Sequence, residues 1–192
     1  MNNQALQVVN EIFTLYETLG HHEYGENVSM LMHMMQAALI AESAGFDDEM
    51  VLAAFLHDIG HFFENEDQME GYGTRAHDHL GAKYLTERGF PERMVMLVAS
   101  HVAAKRYLTY TDSAYYDTLS EASKKTLEHQ GGPMTEAEAI TFRNDPLFEE
   151  YIQLRIWDDM GKETDVPVLA EDIERMRGKA LRYLEEHATF VH

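Results

Sequence analysis

Apolar residues return at intervals of three and four through almost every stretch of this chain, and glycine or proline interrupts the pattern where each stretch stops. That period lays an apolar stripe along a helix, so the chain has to fold by burying helix faces against one another. ALQVVNEIFTLYETLG stops at Gly20 and VSMLMHMMQAALIAESAG at Gly45, while DDEMVLAAFLHDIG opens on acids that suit a helix N-terminus and closes at Gly60. HDHLGAKYLTERG, PERMVMLVASHVAAKRYL with Pro91 in a first turn, and LSEASKKTLEHQGGP, ended by Gly131, Gly132 and Pro133, continue the series. TEAEAITFRN, the longer DPLFEEYIQLRIWDDMG and a surface-facing EDIERMRGKALRYLEEHATF complete it. HHEYGEN, FFENEDQMEGYGTRA, a tyrosine-rich stretch over 109–118 and residues 162–168 read as loops. Strand formers are scarce, whereas Ala, Leu, Met, Glu and Gln abound. The expectation is an all-α helical bundle, and with no repeat and no long linker residues 1–192 read as a single domain. The 12 methionines read as adaptable core filler.

Charge narrows the partners. With 34 acidic residues against 15 basic ones the formal net charge is -19, which argues against nucleic acid, since phosphate backbones need clustered Lys and Arg. Any anion site must then be a local exception to the global field. The chain has no cysteine, so disulfides, thiolate metal sites and cysteine nucleophiles are excluded. MNNQALQVVNEIF lacks the marks of an export signal, and no apolar run approaches the roughly 20 residues that span a bilayer. A cytoplasmic protein with no membrane partner is expected.

Within this helical pattern one segment is out of character. FLHDIGHFFE puts a His-Asp pair and a further His on an apolar stretch, where polar groups need a reason to be buried. Four other segments do the same, and together His33, His57, Asp58, His77, His101 and Asp158 form a set of imidazoles and carboxylates without sulfur. That is the ligand set of iron or manganese, with zinc also possible, and an Asp beside a His can offer both oxygens and bridge two ions. A single one of these histidines is better read as a core imidazole satisfied by a carbonyl; a set spread over separate helices is not. His101 and Lys105 are four apart, and Arg155 and Asp158 three apart, so each cation shares a helix face with a candidate ligand. Arg155 can equally support the carboxylate. Lys105 is the sharper signal, because an ammonium beside metal ions needs an anion between them. Ser123 and Thr126, three apart on one helix, can meet an anion or merely cap and solvate the helix.

The order His…His-Asp…His…His…Asp resembles the HD-domain superfamily. LAAFLHDIGH, HVAAKRYL, ASKKTLEHQGGPM and LRIWDDMGKETD extend the likeness to its mixed-valent diiron oxygenases, in particular those that cleave the C–P bond of phosphonates. The resemblance covers most of the chain. It implies a single HD domain enclosing a dinuclear Fe(II)/Fe(III) site, with one iron on His33, His57 and Asp158, a second on His77 and His101, and Asp58 between them. His77 is preferred over His79 because it stands four residues before Gly81, as in the family's pattern; His79 is expected on another face. Dioxygen is the implied co-substrate, and the implied substrate is a 1-hydroxyphosphonate with a cationic group at carbon 2. Hydrogen abstraction from carbon 1 would convert 1-hydroxy-2-(trimethylammonio)ethylphosphonate to glycine betaine and phosphate, or 2-amino-1-hydroxyethylphosphonate to glycine and phosphate.

The resemblance further implies that His61, Lys105, Ser123, Thr126 and Arg155 gather round the phosphonate and that Glu26, seven residues before His33, meets the cationic group. Tyr24 corresponds to an iron-capping tyrosine, although its interval to Glu26 is one residue shorter than the pattern. Aromatic faces for a quaternary cation could come from the tyrosines between residues 107 and 116. The rival reading is a two-metal HD phosphohydrolase, which can show the same ligand order.

Overall fold

The structure, a computed structural model, describes residues 3–23, 26–63 and 69–190. Among the described residues it is built of α-helices without a strand: α1 (Asn3–Leu19), α2 (Met30–Ser43), α3 (Asp48–Leu56), a 3-10 turn (Ile59–Phe62), α4 (His77–Glu87), α5 (Glu92–Thr111), α6 (Ser113–Thr118), α7 (Glu121–His129), α8 (Glu136–Arg143), α9 (Phe148–Met160) and α10 (Ala170–His187). Side chains stop the starts from fraying. The Ser29 hydroxyl accepts from the Met32 N–H, the Asp47 carboxylate from the Met50 N–H, and Thr135 with Glu138 forms a reciprocal capping box.

α3 is the centre. Met50, Val51, Leu52, Ala53, Ala54, Phe55 and Leu56 are each at most 1% exposed, so this helix is apolar all round and enclosed on every side. It packs against α2, α5, α9 and α10, and α1 lies against α10. From α1, Phe13 and Tyr16 stack on Phe55, with ring centroids 5.6 and 4.6 Å away, and the Tyr16 hydroxyl donates to the Phe55 carbonyl in the last turn of α3. Met34, Met35, Met50, Met94 and Met176 fill this core at 0–1% exposure. No helix among the described residues is long and apolar enough to cross a membrane.

Three boundaries differ from the sequence pattern. α3 ends at Leu56 rather than at Gly60; His57 is its C-cap and Asp58, at φ -102° and ψ 9°, turns the chain into the 3-10 segment. The stretch over 109–118, expected irregular, is helical: α5 runs to Thr111, and Asp112 restarts the chain as α6 by accepting from the Ala114 N–H at 2.8 Å. α10 stops at His187 because the next residues turn onto the end of α4, where the Thr189 N–H meets the Gly89 carbonyl at 2.8 Å.

Candidate metal centre

Five helices and the turn after α3 deliver six side chains to one place. His33 comes from α2, His57 from the end of α3, Asp58 from the turn after it, His77 from the first residue of α4, His101 from the middle of α5 and Asp158 from the last turn of α9. Each histidine is fixed through Nδ1 to a backbone carbonyl: His33 to Gly161 at 2.9 Å, His57 to Ala54 at 2.9 Å, His77 to Thr74 at 2.8 Å and His101 to Val98 at 2.8 Å. A carbonyl only accepts, so Nδ1 carries a hydrogen, and whenever the ring is neutral Nε2 is left with its lone pair. Those lone pairs converge. His33 Nε2 lies 3.1 Å from His57 Nε2, and His77 Nε2 lies 2.9 Å from His101 Nε2.

Two imidazole lone pairs do not attract each other, so each pair needs a positive charge to share. Asp58 supplies the anionic complement to both. Its Oδ2 is 3.6 and 3.5 Å from the Nε2 atoms of His33 and His57, and its Oδ1 is 3.3 and 3.2 Å from those of His77 and His101. Asp158 Oδ1 adds a second carboxylate to the first pair, 3.4 Å from His33 and 3.9 Å from His57. His33, His57 and Asp58 form one candidate metal-holding group, and Asp58, His77 and His101 another. Donor chemistry, tautomers and convergence all fit a pair of hard or borderline metal ions sharing one carboxylate.

The same charges govern protonation. Burial pulls the His57 imidazole down, but the Asp58 and Asp158 carboxylates outweigh it and lift it to about 9. Burial would raise the Asp58 carboxyl, yet the surrounding imidazoles of His57, His101 and His77 hold it well below the usual range. His61 is of a different kind. Its Nδ1 accepts the Thr74 N–H at 3.1 Å, so its hydrogen sits on Nε2, 3.9 Å from Asp58 Oδ1, and the ring stacks on His77 with centroids 3.9 Å apart. This histidine is built to donate rather than to ligate. Burial, then the neighbouring His77, keeps it well below the usual imidazole range and therefore neutral.

Beside the cluster lies a small cavity of about 70 Å³, against roughly 300–1,000 Å³ for drug-sized ligands. Lys105 and Arg155, both 3% exposed, face it. The Lys105 ammonium donates to Thr126 Oγ1 at 2.8 Å; burial, reinforced by the Arg155 charge, pulls it down to about 7. Arg155 donates to Asp158 Oδ2 at 2.6 Å, to both oxygens of Asp159 and to the Tyr115 hydroxyl, leaving one hydrogen on each terminal nitrogen. It therefore clamps the α9 carboxylates and still has donors to spare. Ser123, whose N–H is capped by Ser120, and Thr126 line the same wall.

Glu26 also lines the cavity, but it already has partners: Lys162 donates to its Oε1 at 2.8 Å and the Ser120 hydroxyl at 2.6 Å. Nothing in the sequence pattern marked Lys162, which sits in a segment read as a loop. Thr74 and Gly161, which orient two of the imidazoles, also went unmarked, because backbone carbonyls leave no trace in residue type. Tyr24 lies outside the described residues. His79 is exposed, away from the cluster that His77 joins. The tyrosines between 107 and 116 do not line the cavity: Tyr107 packs against Phe142 and Phe148, Tyr115 is bound to Asp159 and Arg155, and Tyr110 and Tyr116 are exposed. Among the described residues the tyrosine in the cavity wall is Tyr72.

A helical bundle closed around a His-Asp pair, with further histidines from neighbouring helices, defines a class, and the chain belongs to it: it is a member of the HD-domain family, whose pattern matches residues 30–147. Asp158 lies beyond that match. More particularly, the chain is 41% identical to the [1-hydroxy-2-(trimethylamino)ethyl]phosphonate dioxygenase (glycine-betaine-forming) of Leisingera caerulea, over 83% of this chain and 82% of that protein. It is 36% identical to the hydroxymethylphosphonate dioxygenase of Gimesia maris, over 80% and 78%. An uncharacterised protein of Acanthamoeba polyphaga mimivirus is 39% identical over 98% of this chain and 87% of its own length.

Proposed function

We propose that this chain is a non-haem diiron oxygenase that cleaves the C–P bond of a 1-hydroxyphosphonate, with residues 1–192 acting as one HD domain. The observation that carries the reading is Asp58, whose two oxygens each face a separate pair of converging imidazole nitrogens. The named activities of two relatives support the choice of chemistry. In this reading His33, His57 and Asp158 would hold one iron and His77 and His101 the other, with Asp58 as the carboxylate they would share. The iron pair, when bound, supplies the binding and activation of dioxygen; the protein supplies position and charge.

The phosphonate needs several donors at once. Lys105, the free hydrogens of Arg155, and the hydroxyls of Thr126 and Ser123 offer them around the cavity, and His61 adds an Nε2–H from the other side of Asp58. An anion bound there would also stabilise the Lys105 charge, which burial disfavours. Overall, the 1-hydroxyphosphonate and one dioxygen give a carboxylate and phosphate, with one proton released. A cationic group at carbon 2, as the resemblance implies, would have to meet Glu26.

Iron-loaded protein should show the EPR signal of an Fe(II)/Fe(III) pair and release one phosphate for each dioxygen consumed. Phosphate released without oxygen would assign the site to the two-metal phosphohydrolases instead.

Lys105→Met should raise the KM for the phosphonate at least tenfold while both metals are retained. The same change should make the metal-free protein more stable. Because the folded-state Lys105 lies near 7 and the unfolded one in the ordinary lysine range, the unfolded chain binds the extra proton between those values. Wild-type stability therefore rises with pH above 7, and the penalty is fully present below it. The substitution should remove that slope and gain on the order of 1–4 kcal/mol near pH 6. Urea melts of both proteins at pH 6 and pH 9 provide the check.

A further inference from the structure

We infer that Lys162 is a specificity-determining residue: it serves as a built-in counter-ion to Glu26, so that the cavity favours phosphonates whose tail is small and uncharged. The inference rests on the proposed phosphonate site and says which substrates of that class fit it.

Lys162 is not a loosely placed surface lysine. The residue before it, Gly161, has its carbonyl held by His33 Nδ1 at 2.9 Å, and a Cβ there would stand 2.9 Å from the His33 carbonyl oxygen. The residue after it, Glu163, is gripped on both backbone groups by the Gln36 side chain, at 2.8 and 3.1 Å. Lys162 is thus pinned to α2 on either side, and its side chain has one course, along the cavity wall. There the ammonium donates to Glu26 Oε1 at 2.8 Å and to Ser123 Oγ at 3.0 Å. The Ser120 hydroxyl donates to the same Glu26 oxygen at 2.6 Å.

Among the described residues Glu26 is the carboxylate of the cavity wall outside the metal cluster; Lys162 and Ser120 both hold its Oε1, so a positively charged tail has to displace the Lys162 ammonium or bind at Oε2 beside that like charge. That competition is unequal, because the lysine is covalently held in place whereas a ligand's tail must be ordered on binding. Size points the same way. A cavity of about 70 Å³ has little room for a bulky cationic group beside a phosphonate. An uncharged tail leaves the Lys162–Glu26 pair intact.

The experiment is calorimetric titration of metal-loaded protein with two unreactive ligands of matched shape, propylphosphonate and 2-aminoethylphosphonate. Wild type should bind propylphosphonate at least as tightly as the amine. Lys162→Met, which keeps the length of the side chain but frees Glu26, should shift the ratio of the two dissociation constants about tenfold or more towards the amine. Adding Glu26→Gln to that variant should abolish the gain. The inference is overturned if wild type prefers the amine by tenfold, if Lys162→Met leaves the ratio unchanged, or if neither ligand binds. The wild-type comparison stands even if the variant fails to fold. The expected binding order without oxygen consumption on hydroxylated phosphonates would uphold the inference and sink the oxygenase reading, so the two failures are distinguishable.

Discussion

Asp58→Ala is expected to strip both ions of the proposed dinuclear centre at once, leaving well under a tenth of the wild-type metal content after dialysis and no measurable turnover. The two oxygens of Asp58 face the two halves: Oδ2 lies near His33 and His57, and Oδ1 near His77 and His101. Removing it leaves each histidine pair with one fewer anionic donor, and loss of a ligand costs metal affinity orders of magnitude. The fold should survive, because Asp58 stands in a turn after α3 and makes no capping bond there. Asp158→Ala should behave differently. It empties only the His33/His57 side, and it destabilises the protein because the buried Arg155 loses the partner held at 2.6 Å. Metal analysis with circular dichroism on both variants distinguishes a bridge from an ordinary ligand. An Asp58→Ala protein that still holds one full equivalent would show that the carboxylate does not bridge.

The second large effect is expected from the smallest change, Gly60→Ala. A Cβ at this position would lie 1.8 Å from the His77 carbonyl oxygen, 2.6 Å from its carbon and 2.8 Å from Gly81 N. All three are backbone atoms at the start of α4, so no side chain can swing aside. The 3-10 turn and α4 must separate, and His77 moves with them, away from Asp58. The cost should reach about 3 kcal/mol or more, which in a chain of this size lowers Tm by about 6–12 °C. Gly71→Ala is the control. That glycine has φ +98° but nothing within 4 Å of a Cβ, so the cost is limited to backbone strain, about 1 kcal/mol. Equal melting points for the two variants would refute the close-packing account of Gly60.

These two glycines show how far the residue pattern could be followed. A helix start was readable where acids mark it, as at Asp47, which caps α3; the caps at Ser29 and Thr135 were not singled out. Gly60 was read as the residue that closes α3, yet its role is to let α4 approach, a contact set by a strand of chain that arrives later in the sequence. The helix α6 was missed because three clustered tyrosines outweighed the single Asp112 that caps it. At the site, imidazoles and carboxylates are conspicuous on apolar helices, and the six picked on that ground do meet in space. Lys162 left no comparable mark. A lysine among acids in a loop looks solvated, and only the grip of His33 and Gln36 on its neighbours turns it inward. The tyrosines of 107–116 erred in the opposite direction, because aromatic content says nothing about which wall a ring will face.

The six candidate ligands come from α2, the end of α3, α4, α5 and α9, spread from residue 33 to residue 158, and none of the six comes from α1 or α10. Ions seated there would rivet together segments that are distant along the chain. Holding power is then a property of the whole bundle, and no proteolytic piece that stops short of α9 can possess it in full. Chelation should loosen the protein everywhere at once, and metal release during denaturation should track global collapse of the bundle rather than fraying of its ends.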